Sequence, residues 1–167
     1  MRTNILWAIL VVITALIEAI WPYTLRIQAV VPQLVLLLVV YFAITEGEER
    51  AMFTGLLGGI FKDVAADAAL GHHVLCLVVV GYFVGAMSKR LITDNPAVKA
   101  GAVFCASVTH SILYIAVDYI QRADAGNVYA LFATVFPQAF YTALMTPILF
   151  LMLSYAPMPQ HRRAHQS

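Results

Sequence analysis

The sequence is poor in charge. Asp, Glu, Lys and Arg make up only 11% of 167 residues, against 62% apolar residues and a mean hydropathy of +0.83. A soluble domain carries roughly a quarter charged residues, because water must wet its surface. Too little charge is present here to cover a globule, so most of the surface must meet lipid. The net charge of +1 leaves no polybasic surface for nucleic acid. Cysteine is equally scarce: Cys76 and Cys105 are the only two, and both lie in apolar stretches. They read as small core or lipid-facing residues, since two thiols alone make neither a zinc site nor a disulfide framework. Enzyme signatures are missing too, with no His-Glu-x-x-His pair, phosphate loop, dinucleotide fingerprint or Gly-x-Ser-x-Gly elbow. No catalytic residue, cofactor or resident metal is expected.

What the chain does have is apolar length. The uncharged runs are Thr3–Ile17, Ile27–Thr45, Ala51–Phe61, Ala68–Ser88, Ala100–Val117 and Ala125–His161. A helix needs about 20 apolar residues to cross a bilayer. Four runs nearly suffice alone. The first becomes adequate over about Asn4–Ile20 with Glu18 near its far end, and the third only by continuing through Lys62, Asp63 and Asp67 to about Leu70. The expected fold is therefore an all-α integral membrane protein of six transmembrane helices, with a broken or re-entrant third segment as the fallback. Met1-Arg2 before an apolar run resembles an export signal, but no small-x-small site follows, so a retained first helix is expected.

Helix two is expected from about Val30 to Ile44 with Pro32 in its first turn, and the short turn at Glu46–Arg50 makes helices two and three antiparallel neighbours. Asn95 and Pro96 mark the start of helix five, which should run to about Val117; helix six occupies roughly Val128–Tyr155 and carries Pro137 and Pro147. Residues 1–156 form one domain in this reading, and 157–167 a flexible cytoplasmic tail. Termini in the cytoplasm put Arg2, Arg50, Lys89, Arg90, Lys99, Arg162 and Arg163 inside, against Arg26, Lys62 and Arg122 outside. That asymmetry favours both termini inside.

The organising stretch is Gly55 to His73. As a helix it stacks Gly55, Gly59, Asp63 and Asp67 at four-residue intervals. Glycines admit a second backbone, and an intramembrane aspartate faces protein, water or a partner, so this stripe is a candidate partner interface or interhelical packing face. Gly71, Tyr82 and Gly85 belong with it, and helix four repeats the spacing at Gly81 and Gly85. If the face meets a partner, bulky residues at Gly55 and Gly59 should weaken assembly but spare insertion; if it packs internally, they should abolish folding. Asp63 reads first as an interhelical hydrogen-bonding group or a cap on the broken end of helix three, then as a recognition group or a proton carrier. Lys62 is read as extending to the headgroups, needing no buried partner.

Glu18, His110, Tyr114, Asp118 and Gln138 form a candidate polar recess in the outer half. Tyr114 and Asp118 follow His110 at four-residue steps, and Gln138 lies in a stripe with Thr134, Thr142 and Thr146 that should turn inward. Structural hydrogen bonding is the plainer alternative for each. His72 and His73 read as an exposed polar turn.

Residues Gly55–Gly85 resemble the signature region of the bacterial rod shape-determining membrane protein MreD family: a glycine-punctuated helix (Gly55, Gly59) leading to Asp63, a Leu70-Gly71 turn, then an apolar helix with Tyr82 and Gly85. The run Pro32–Tyr41 resembles the family's second helix. Lys62, Asp67 and the His72-His73 pair depart from the pattern. The resemblance implies a non-catalytic scaffold of the lateral peptidoglycan synthesis machinery in the bacterial inner membrane. It would pack with MreC and couple it to RodA, to the elongation-specific penicillin-binding transpeptidase and to MreB filaments, with membrane lipid around it. That fold is similar to the substrate-binding subunits of energy-coupling-factor transporters, so a vitamin-type binding subunit is the alternative.

Overall fold

In a computed structural model, residues 2–22, 24, 30–65, 71–88, 95–121 and 128–155 are described. They form six α-helices: α1 (Arg2–Ala19), α2 (Leu34–Thr45), α3 (Glu48–Ala65), α4 (His72–Ser88), α5 (Pro96–Gln121) and α6 (Val128–Tyr155). Two stretches, Pro96–Ile120 and Ala133–Leu153, are long and apolar enough to cross a membrane.

Helix directions alternate. Trp7 on α1 donates to Thr54 on α3 at 3.0 Å while Glu18 reaches Lys62 at 2.7 Å, so α1 and α3 run parallel. The end of α4 meets the end of α2, where Ser88 Oγ donates to the Ala43 carbonyl at 2.8 Å. Lys99, early in α5, lies over the ring of Phe150, late in α6. All three odd-numbered helices therefore point one way, and the even-numbered helices return.

Helix α2 is the centre of the bundle and touches each of the other five. Every residue from Leu34 to Ala43 is buried. A helix apolar on all sides has no solvent face to show, and here its neighbours cover it completely. It is only 12 residues long, about 18 Å at 1.5 Å per residue, so it is much shorter than a bilayer core. The expected start near Val30 is thus corrected: the helix opens at Leu34, and Pro32 stands before it rather than in its first turn. Pro32 supplies no N–H to a helical ladder, and the extended segment before Leu34 finds its partners elsewhere.

Other boundaries moved less. Asn95 Oδ1 accepts from the Ala97 amide at 2.9 Å, capping α5 one residue before Pro96. Helix α5 continues past Val117 to Gln121, which puts Asp118 on the helix rather than in a loop. The proposed continuation of α3 through residues 66–70, including Asp67, lies outside the described residues, as does the tail 157–167.

Candidate functional site

The first assembly of predicted residues is the seam between α3 and α4. A Cβ placed on Gly55 would lie 2.8 Å from the Leu77 carbonyl oxygen, and one on Gly59 would lie 2.6 Å from Val74 Cα. From the other side, a Cβ on Gly85 would come 2.5 Å from Glu48 Cα, and one on Gly81 3.1 Å from the Ala51 carbonyl. The two glycine pairs therefore mesh with each other's helix, backbone against backbone. Gly55 and Gly59 face α4, which leaves a second protein no access to them. Bulky residues there would press on the α4 backbone and disturb the hairpin itself. Tyr82 stands outside the seam, half exposed at 49%.

Where this hairpin turns from α3 to α4 sits Asp63, 1% exposed. Its Oδ2 accepts from the Gly71 amide and its Oδ1 from the His73 amide, both at 2.8 Å, and the His73 Nδ1–H donates to Oδ1 at the same distance. The first amides of α4 have no partner within the helix, and a carboxylate at a helix N-terminus also opposes the positive end of its dipole. Asp63 thus caps α4, not the end of its own helix. Gly71 makes the approach possible by adopting φ +104°, a conformation that other residues rarely take.

Glu18 does the same for α2. Its Oε2 accepts from the Val35 amide at 2.8 Å, and its Oε1 binds Lys62 Nζ at 2.7 Å. The Lys62 side chain is 15% exposed, so its expected extension to the headgroups is corrected: it pairs with Glu18 within the bundle. The rest of the α2 entry is held from α5 and α6. Thr142 Oγ1 accepts from the Gln33 amide at 3.1 Å, and Gln138 Nε2 donates to the Val31 carbonyl at 3.2 Å. Non-helical backbone deep in an apolar bundle persists only where each polar group finds such a partner.

Gln33, unnoticed in the sequence, joins these helices. Ser107 Oγ donates to its Oε1 at 2.9 Å, and its Nε2 lies 3.3 Å from His110 Nδ1. A residue beside a proline in an apolar run carries no local signal for partners 74 and 77 positions away. Around it lies a cavity of about 200 Å³, lined by Gln33, Lys62, His73, His110, Tyr114 and Gln138 among others. His110, Tyr114 and Gln138 therefore line one recess. Glu18 joins it only through Lys62, and Asp118 does not line it.

The two adjacent histidines are not an exposed turn. His72 is 4% exposed, donates from Nε2 to the Tyr114 carbonyl at 3.0 Å and stacks on the Tyr114 ring with centroids 4.1 Å apart. His73 is half-buried against Asp63. Nothing in a Gly-His-His sequence distinguishes this from a wet turn, because Tyr114 lies 42 residues away. A second cavity, of about 430 Å³, opens between α4 and α5 with mainly apolar walls. Cys76 is buried and Cys105 exposed, and both are free thiols. Among the described residues no three His, Cys, Asp or Glu side chains are grouped to hold a metal.

A helical bundle whose buried polar side chains close helix ends, with helices apolar enough for lipid, defines a membrane protein organised around packing. The chain belongs to the family of rod shape-determining protein MreD, which it matches over residues 1–156. Membership supports a non-catalytic membrane-scaffold role in the cell-elongation machinery, and a non-enzymatic protein. No curated protein and no solved structure matches the chain.

Proposed function

We propose that this protein is a six-span inner-membrane scaffold that packs with MreC and couples it to RodA, the elongation-specific transpeptidase and MreB filaments. The observation that carries the reading is family membership over residues 1–156. In this reading those residues form one transmembrane domain, residues 157–167 a cytoplasmic tail, and both termini lie inside. The alternating helix directions and the excess of Lys and Arg at the terminus-bearing end support that topology.

Because the glycine faces of α3 and α4 lock onto each other, partner helices are assigned to other surfaces. Exposed apolar side chains run along α1 at Ile5, Ile9, Ile13 and Leu16, and along α6 at Phe136, Phe140, Leu144 and Ile148. Crosslink-resolved co-purification from native membranes tests the proposal: MreC should be recovered, crosslinked through one of these faces. Recovery of energy-coupling ATPase subunits instead would overturn it. The vitamin-transporter alternative, with its likeness to energy-coupling-factor subunits, draws on the polar recess alone and predicts saturable stabilisation by a small molecule.

A further inference from the structure

The recess between α2, α5 and α6 contains hydrogen-bonding groups that the scaffold's own packing leaves over. His110 is 3% exposed, and its Nδ1 faces the Gln33 amide nitrogen. Gln33 Oε1 is engaged by Ser107, so the carboxamide presents its N–H to the imidazole and Nδ1 accepts. The ring proton of neutral His110 then resides on Nε2. That N–H is buried and has no partner among the described residues. The next residue, Ser111, is 7% exposed and its hydroxyl is equally unpartnered there. Both residues line the recess. A buried donor without an acceptor is costly, and two on consecutive residues that line one cavity would both be relieved by an oxygen atom from outside the chain.

Charge narrows the class. Lys62 is already matched by Glu18, and Asp63 by the amides of α4 and by His73, so no unmatched cation faces the cavity. The one ammonium in the lining is thus neutralised behind the wall, which leaves no net positive charge to hold an anion. The remaining lining is neutral: two carboxamides, hydroxyls and an aromatic ring at Tyr114. Neutral hydrogen-bonding groups beside an aromatic face suit a hydroxyl-rich ring. A volume of about 200 Å³ admits one such ring and little more.

We propose that this recess binds a neutral, hydroxyl-rich group the size of one sugar ring, with an oxygen accepting from His110 Nε2–H and sharing a hydrogen bond with Ser111. The site stands whether or not the scaffold reading holds, since it rests on side chains and not on partners.

The test uses the full chain with 15N-labelled histidine in phosphatidylcholine bicelles, reading the His110 Nε2 resonance, which is assigned by its loss in His110→Gln. One arm adds methyl β-glucopyranoside to the water; the other adds glucosyl-diacylglycerol to the bilayer; methyl phosphate is the anionic comparison. A saturable shift in either sugar arm supports the proposal, and the responding arm identifies a free sugar or a lipid headgroup as the source. Ser111→Ala should keep the fold, because that hydroxyl holds nothing among the described residues, and should weaken binding about five- to tenfold, the effect of one hydrogen bond. No shift in either sugar arm, a shift with methyl phosphate alone, or unaltered binding in Ser111→Ala each overturns it.

Discussion

Removing the Asp63 carboxylate should unlatch α4 from its own hairpin. In Asp63→Ala the amides of Gly71 and His73 and the His73 ring N–H lose acceptors that stood at 2.8 Å. Each buried donor left unsatisfied costs about 1–3 kcal/mol. The His73 side chain is 12% exposed and its ring can reorient, so its share is the smallest. The two amides cannot turn, which puts the total at about 3–5 kcal/mol, a large fraction of the roughly 5–15 kcal/mol that holds a domain together. Asp63→Asn keeps one acceptor oxygen but aims an NH₂ at a donor and removes the charge opposite the helix dipole, so it should cost less, about 1–3 kcal/mol. The assay is reversible unfolding in mixed micelles followed by far-ultraviolet circular dichroism, with endoproteinase Asp-N cleavage at Asp67, between α3 and α4, as the local reporter. Alanine should fall below asparagine in stability, and the hairpin connection should be cut sooner in both. Stability of Asp63→Ala within about 0.5 kcal/mol of the parent, or equal loss in the two variants, would refute the capping argument.

The glycine seam predicts a position-specific response. Gly59→Leu and Gly85→Leu should each cost at least about 1–3 kcal/mol from overpacking, whereas Gly101→Leu, whose Cβ would meet nothing within 4 Å, should be tolerated; equal effects in a thermal aggregation assay would contradict the backbone contact. Glu18→Ala removes both the Val35 cap and the Lys62 partner and should destabilise by about 2–4 kcal/mol, while Glu18→Gln in a Lys62→Met background should recover part of that loss in the same unfolding measurement. Thiol labelling of Glu49→Cys and Ala65→Cys, both exposed at opposite ends of α3, should occur from opposite faces of the membrane; labelling of both from one side would sink the six-span topology.

What could be read from the sequence was whatever depends on neighbours along the chain. Asn95 before Pro96 announces a helix start because cap and proline act within three residues. Gly55 and Gly59 announce close approach because four residues return to one face of a helix, although spacing does not say whose backbone approaches. The α2 entry shows the opposite case. A proline in an apolar run looks like an ordinary first turn, and its actual setting depends on Glu18, Gln138 and Thr142, which lie 17, 107 and 109 residues from the groups they hold. Lys62 was misplaced for the same reason: a long cation near a helix end extends to water by default, and only the fold brings Glu18 within 2.7 Å. Within an apolar bundle an unpaired polar side chain is costly, so most of the few present take a partner wherever in the chain one lies. The positions most expensive to leave unsatisfied are therefore the ones whose roles are least visible locally, and Gln33, which joins α2 to α5, is the clearest of them.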